Sequence, residues 1–266
     1  MSAENTTATN YLYGIIQCQE SRPLGINGVN NAPVRSVVHG SVAAAVSDFA
    51  CDRNGRADRS GRGDFGDDIA AVARHESVLE RLMELYAILP ARFGMVLSAD
   101  EVDAMLAANH DSFLRDLQRV RDRLEFDLKV TWPASEVRAL IQQHDPFVAA
   151  SSELEKTNGP DVRYALYKQR EIAIERILRS RAQAYTEGIQ RSLLPLCSEC
   201  RCEIAPAEGV MLEGSYLVER RRAEDFRLII DALQSRSGKF CFMLNGPWPP
   251  YAFVSLKAAP KMGAAV

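Results

Sequence analysis

The stretch Glu125-Phe126-Asp127-Leu128-Lys129-Val130-Thr131-Trp132 alternates without a break. Phe126, Leu128, Val130 and Trp132 point one way, and Glu125, Asp127, Lys129 and Thr131 the other. That period of two predicts a half-buried strand, with one face on a core and one toward water. Downstream, Pro133-Ala134-Ser135-Glu136 opens a short helix to about His144, and residues 145–160, with Pro146, Gly159 and Pro160, form a connector. A long helix is predicted from Asp161 to about Ser192, with Leu166, Ala173, Ile174, Ile177, Leu178, Tyr185 and Ile189 on its apolar side. Strands follow at Cys197–Ile204 and Val210–Glu219, joined through a turn at Glu208-Gly209. Arg220 to about Ser235 is a helix with Phe226, Ile229, Ile230 and Leu233 inward, closed by Gly238, and Phe240–Leu244 is the last regular strand. The order strand, long helix, strand, strand, helix, strand is ferredoxin-like: two helices on one face of a four-stranded sheet, the other face free.

The last strand breaks the pattern. Phe240, Cys241, Phe242, Met243 and Leu244 are apolar on both faces, so the second face is expected to be covered beside it, by the first domain, by the ribbon that follows, or by a partner. That ribbon is Asn245-Gly246-Pro247-Trp248-Pro249-Pro250-Tyr251. Its three prolines fix φ and remove backbone donors, so it is expected to end the strand and run as a stiff extended piece. Trp248 and Tyr251 would project from it, either as an internal clamp or as a binding surface.

Upstream, Tyr11–Gln17 is a predicted strand, residues 20–33 a loop, and Val34–Val38 with Ser41–Ser47 a hairpin about His39-Gly40. The small side chains of Ser41–Ser47 would let a helix pack closely. From Asp67 the spacing becomes helical (Val72, His75, Leu79, Leu82, Tyr86) and should stop near Ala87, before Pro90. Arg92–Leu97 is a further strand candidate. Ser98-Ala99-Asp100-Glu101 is a capping box, opening a helix over about 99–122 with Val102, Leu106, Phe113, Leu117, Val120 and Leu124 on one stripe. The expected fold is α+β with two domains: an N-terminal α+β domain over 1–123, a ferredoxin-like domain over 124–257, and a tail at 258–266.

The 266 residues are 47% hydrophobic and 25% charged, with net charge −3, the balance of a globular protein and not of a basic nucleic-acid binder. No apolar run approaches the roughly 18–20 residues that span a bilayer. The polar start lacks the basic-then-apolar pattern of a signal peptide, so a cytoplasmic protein with reduced cysteines is expected.

Few residues carry chemistry. Cys197-x-x-Cys200-x-Cys202 has metal-like spacing but no fourth ligand nearby in the chain, so partly buried thiols are expected and no metal. His75 lies on an apolar stripe. With no nucleophile elbow or Walker motif in the chain, a buried imidazole bonded to backbone or to Arg92 or Asp48 is expected in place of a catalytic base. Arg220-Arg221-Arg222 is a solvated helix start. Residues 52–66, with four Arg, three Asp and four Gly, form a polar loop whose functional alternative is an RGG-like RNA-binding segment. No catalytic residue or cofactor is assigned.

Several stretches together resemble the gas vesicle protein F/L family: Tyr11-Leu12-Tyr13-Gly14; Gly40 followed by Ala44-Ala45-Val46-Ser47-Asp48; His75 with Leu79; Leu89-Pro90-x-Arg92-Phe93-Gly94; Tyr216-Leu217-Val218; and Gly246-Pro247-Trp248-Pro249-Pro250-Tyr251. The resemblance runs in order over most of the chain; the loop at 52–66 and the cysteine cluster lie outside it. It implies a non-enzymatic accessory or minor structural component of gas vesicles, located in gas vesicles and the cytoplasm. Its implied partners are the small hydrophobic shell protein, gas vesicle protein A (GvpA), and other accessory gas vesicle proteins, with no membrane or nucleic-acid partner. The implied role is to keep the shell protein from aggregating during nucleation and assembly. The expected partner-binding residues are Phe242, Leu244, Trp248, Pro249, Pro250 and Tyr251. The alternative is a ferredoxin-like module that binds nucleic acid or a small ligand on its free sheet face.

Overall fold

The structure is a computed structural model that describes residues 9–49, 69–144, 159–203, 209–254 and 256. The loop expected at 52–66, its RNA-binding alternative and the tail at 258–266 lie outside the described residues. The chain divides into two units, 1–124 with 248–266, and 125–247. The sequence pattern carries the second domain on to residue 257; the backbone instead leaves it at Trp248. The reason is packing: Tyr251 joins one core of the first unit, and Val254 and Leu256 join the other.

In the first unit, β1 (Thr9–Gln17), β2 (Pro23–Asn27), β3 (Pro33–His39), β4 (Val42–Phe49), β5 (Ile88–Pro90) and β6 (Val96–Ser98) form one sheet in the order β2-β3-β4-β1-β5, with β6 also on β1. β1 is central. It pairs antiparallel with β4 along its length, with β5 through Gly14–Ile16 and with β6 through Thr9–Tyr11. Both faces are covered. Leu12, Ile15, Val42, Ala44 and Val46 meet Val102, Leu106, Phe113 and Leu117 of α2 (Ala99–Val120). Tyr11, Tyr13, Ile16, Ala43 and Ala45 meet Ala71, Val78, Leu79 and Leu82 of α1 (Ile69–Leu85). The alanines of β4 explain how a helix fits on each side: the strand adds little bulk to either face.

The start of α2 carries the expected capping box. Ser98 Oγ accepts from the Glu101 N–H at 3.2 Å, and the Glu101 carboxylate accepts from the Ser98 N–H at 2.8 Å. Two local expectations change. Residues 20–33 contain a strand, β2, because it can borrow hydrogen bonds from β3 despite its Pro and Gly. Of the strand expected at Arg92–Leu97 only the end forms, as Val96–Ser98 on β1; Arg92–Gly94 make a turn instead, and an unexpected strand, Ile88–Pro90, pairs with β1 before it.

In the second unit, β7 (Arg123–Thr131), α3 (Ala134–His144), α4 (Pro160–Leu193), β8 (Cys197–Glu203), β9 (Val210–Glu219), α5 (Ala223–Ser237) and β10 (Cys241–Trp248) follow in the expected order. The sheet runs β10-β7-β9-β8. Its core is aromatic: the Phe226 ring of α5 lies 5.5 Å from Phe126 of β7 and 5.4 Å from Tyr216 of β9. Ala182, Ile189 and Leu193 bury the C-terminal part of α4, whereas Tyr164, Tyr167 and Ile172 stay exposed. The water-facing side of β7 is knit to β9 by polar contacts. Ser215 Oγ donates to Asp127 at 2.6 Å, and Lys129 pairs with Glu213 at 3.8 Å. Glu125, expected toward water, is buried.

β10 corrects one expectation. It does not end at Leu244 but continues through Asn245, Gly246 and Pro247 to Trp248. It can do so because it is an edge strand of the described sheet, where a proline need not donate to a neighbour. Along it Phe242 is buried, while Cys241 and Met243 are exposed. No helix among the described residues is long and apolar enough to cross a membrane.

Candidate functional site

The first unit gathers several of the family-like stretches around one side chain, His75. The imidazole is fully buried on α1. Tyr13 stacks on it at 5.7 Å, and Tyr11 and Phe93 meet it edge-on at 5.7 Å each. β1 supplies the tyrosines, because alternation sends residues 11 and 13 to the same face. The Ala91–Met95 loop supplies Phe93, Gly94 and the Ala91 carbonyl.

The hydrogen bonds form a directed chain. The Gly94 N–H donates to Tyr11 Oη at 3.1 Å, and Tyr11 Oη lies 2.9 Å from His75 Nδ1. Nε2 lies 3.3 Å from the Ala91 carbonyl, which can only accept, so Nε2 carries the proton and Nδ1 accepts from Tyr11. Tyr251 Oη lies 3.4 Å from the same Nε2 and donates to Glu76 Oε1 at 3.3 Å. Each protonatable group then has a defined role. Burial lowers the His75 pKa to about 4, with the Ala91 bond opposing, so the ring is neutral near pH 7. Burial also raises the pKa of Tyr11, Tyr13 and Glu76. Through these bonds the cluster ties β1, α1, the loop after β5 and Tyr251 to one another.

Tyr13 has a second duty. Its hydroxyl accepts from the Val29 N–H at 2.7 Å and meets Ser47 Oγ at 3.0 Å. Gly28 makes room for it: a Cβ there would lie 1.9 Å from Tyr13 Oη.

Of the residues expected at a partner contact, Phe242, Pro249 and Pro250 are buried, and Leu244, Trp248 and Tyr251 half-buried. Tyr251 points into the His75 cluster, which the sequence could not show because its partners lie 175 and 176 positions away. His75 takes a backbone partner as expected, but neither of the side chains considered for it. Arg92 is exposed, and Asp48 pairs with Arg35 at 2.9 Å. Cys197, Cys200 and Cys202 are partly buried on β8, and burial raises the Cys197 thiol to about 11 and Cys200 likewise upward. Among the described residues no group of three or more His, Cys, Asp or Glu is placed to hold a metal ion. Arg221 and Arg222 pair with Glu219, and Arg222 also caps the Pro195 carbonyl, which gives the arginine run a structural use.

Comparison with known proteins gives the family and the fold. The family described as gas vesicle synthesis protein GvpL/GvpF matches residues 9–255. The chain is 30% identical to gas vesicle protein F of Streptomyces sp. (strain CB03234) over 92% of this chain and 99% of that one. It is 27% identical to gas vesicle protein L of the same strain, over 95% of each. Its fold is that of the crystal structure of GvpF from Anabaena sp. PCC7120, with a TM-score of 0.73 at 19% identity, covering 94% of this chain and 99% of that one. The GvpF structure from Microcystis aeruginosa is similar, with a TM-score of 0.71 at 19% identity over 93% of this chain and 99% of that one. With a match that runs from the first described strand to the end of the proline ribbon, the chain belongs to the GvpL/GvpF family of gas vesicle synthesis proteins.

Proposed function

We propose that this protein is a non-enzymatic accessory component of gas vesicles. It binds the hydrophobic shell protein GvpA and keeps it from aggregating during nucleation and assembly. Family membership supports a role among other gas vesicle proteins. Physical chemistry supports the finer role. A shell subunit with an apolar side aggregates unless a partner covers that side, and such a partner needs apolar groups held in place at low entropic cost. The observation that carries this reading is the stretch from Phe242 to Tyr251. Phe242, Pro249 and Pro250 are buried anchors, while Leu244 and Trp248 between them remain half-exposed. In this reading Leu244 and Trp248 touch the shell protein, and Phe242, Pro249, Pro250 and Tyr251 brace them. The second unit is read as ferredoxin-like, because the sheet order β10-β7-β9-β8 is the fourth, first, third and second strand of the βαββαβ series.

The test is co-purification of tagged full-length protein with GvpA, for wild type, Leu244→Gln and Trp248→Ala, with thermal unfolding measured in parallel. The expected result is loss of GvpA from both variants with little change in unfolding temperature. Retention of GvpA by both folded variants would refute the contact.

A further inference from the structure

A bulge in β8 brings three thiols to one face. In regular alternation the spacing of three would send Cys197 and Cys200 to opposite faces. In β8 the register shifts instead: Cys197 pairs with Val218, Glu199 with Leu217 and Cys200 with Tyr216. Ser198 is the extra residue, and its hydroxyl donates to the Leu217 carbonyl at 3.0 Å. Residues paired directly across two strands share a face. Val218, Tyr216 and Gly214 alternate onto one face of β9, so their partners Cys197, Cys200 and Cys202 share one face of β8. All three thiols are partly exposed, on a strand at the edge of the described sheet.

β9 leaves space for one of these thiols and aims a polar group at them. A Cβ on Gly214 would stand 2.5 Å from Cys202 Sγ, so this sulfur leans across the ladder into the space where a side chain is missing. Tyr216, two residues on, is fully buried, and its hydroxyl makes no hydrogen bond of good geometry among the described residues. The thiols of Cys202, Cys200 and Cys197 are its ionisable neighbours; burial first, and these thiols after it, push its pKa up. A buried donor without an acceptor is costly, and a thiolate sulfur beside it would supply the acceptor.

Distance decides what the thiols can hold. Side chains two apart on a strand are spaced by about 6.6 Å, whereas a disulfide draws its two Cβ atoms to about 3.8 Å. A direct bond between Cys200 and Cys202 would therefore distort the strand. Two bonds of the about 2.3 Å that zinc makes to sulfur, set end to end, span about 4.6 Å, so one ion fits between two sulfurs that lean together. Zinc itself wants four ligands, and among the described residues no three ligating side chains gather around one point. A soft ion that is satisfied by two thiolates in line needs no third.

We propose that Cys200 and Cys202 bind one copper(I) ion between their sulfurs, with the Tyr216 hydroxyl donating a hydrogen bond to a bound thiolate. Binding displaces one proton from each thiol and leaves a copper bis-thiolate of charge −1. The site is independent of the shell-protein contact proposed above.

The test uses the full-length chain with Cys18→Ser, Cys51→Ser and Cys241→Ser, which leaves only the β8 thiols. Copper(I) is titrated anaerobically, with ascorbate as reductant, against the chromophoric chelator bicinchoninate. One bound ion per chain is expected. Adding Cys200→Ser or Cys202→Ser should abolish stoichiometric binding, Cys197→Ser should keep it, and Tyr216→Phe should weaken it about tenfold. No binding, binding that survives loss of Cys200 or Cys202, or binding lost with Cys197 overturns the site. Equal affinity in Tyr216→Phe overturns the part given to the hydroxyl. X-ray absorption of the loaded protein needs no substitution on β8 or β9. Two sulfur neighbours around copper are expected; three or more, or nitrogen or oxygen neighbours, overturn the proposal.

Discussion

The Tyr11 hydroxyl stands 2.9 Å from Nδ1 of His75 and joins the Gly94 N–H and the imidazole in one chain of hydrogen bonds. Replacing Tyr11 with Phe keeps the ring and removes the link. Two buried groups, the Gly94 N–H and His75 Nδ1, then lose their partner. The expected cost is about 1–3 kcal/mol, read as a lower urea midpoint with an unchanged slope. A midpoint equal to that of wild type would show the link to be energetically idle.

Protonation of His75 should destabilise the first unit. Its folded pKa of about 4 lies below the ordinary histidine value of 6.5, so the unfolded chain binds the proton more readily. Stability from this group is complete above the unfolded value and is lost as pH falls from about 6.5 toward 4, by up to about 3 kcal/mol. Glu76 works in the opposite direction, because its raised carboxyl pKa favours the folded state as pH falls. Denaturation at several pH values between neutral and 4 should show a net decline for wild type and a shallower one for His75→Gln. Parallel curves for the two proteins would rule this mechanism out.

Gly28→Ala should be severe, because Gly28 is buried against the Tyr13 ring. Its Cβ would sit 1.9 Å from the Tyr13 oxygen and push the hydroxyl off the Val29 N–H. Steric displacement and a broken buried hydrogen bond together should cost more than about 2 kcal/mol. Thermal unfolding checks this, and the double variant Gly28→Ala with Tyr13→Phe should recover part of the loss because the clashing oxygen is gone.

In the second unit, Phe226→Ala should cost about 3–5 kcal/mol. The ring is fully buried between Phe126 and Tyr216, and neither neighbour sits on a mobile end that could fill the void. The Ser98→Ala variant is the mild comparison, since it removes one half of a capping box on an exposed turn and should cost about 1 kcal/mol.

The amino-acid sequence by itself determined the elements whose signal is local. The alternation at 125–132, the box at Ser98–Glu101, the stripe on α2 and the order of strands and helices after residue 125 follow from side-chain period and capping, which act within a few residues. Family membership was legible too, because it is carried by short stretches that can be matched without knowing where they meet. What only the tertiary structure decided depends on partners far along the chain. β2 forms in a Pro- and Gly-rich stretch because β3 lies beside it. β10 runs through Pro247 because, among the described residues, it is an edge strand with no neighbour on one side. Burial of Glu125 and exposure of Tyr164 depend on what packs over them, which no local period encodes. Above all, the Asn245–Tyr251 ribbon could be read as clamp or surface from its own residues. The fold turned Tyr251 toward His75 and Glu76, 176 and 175 positions earlier, where a buried donor and an acceptor meet its hydroxyl.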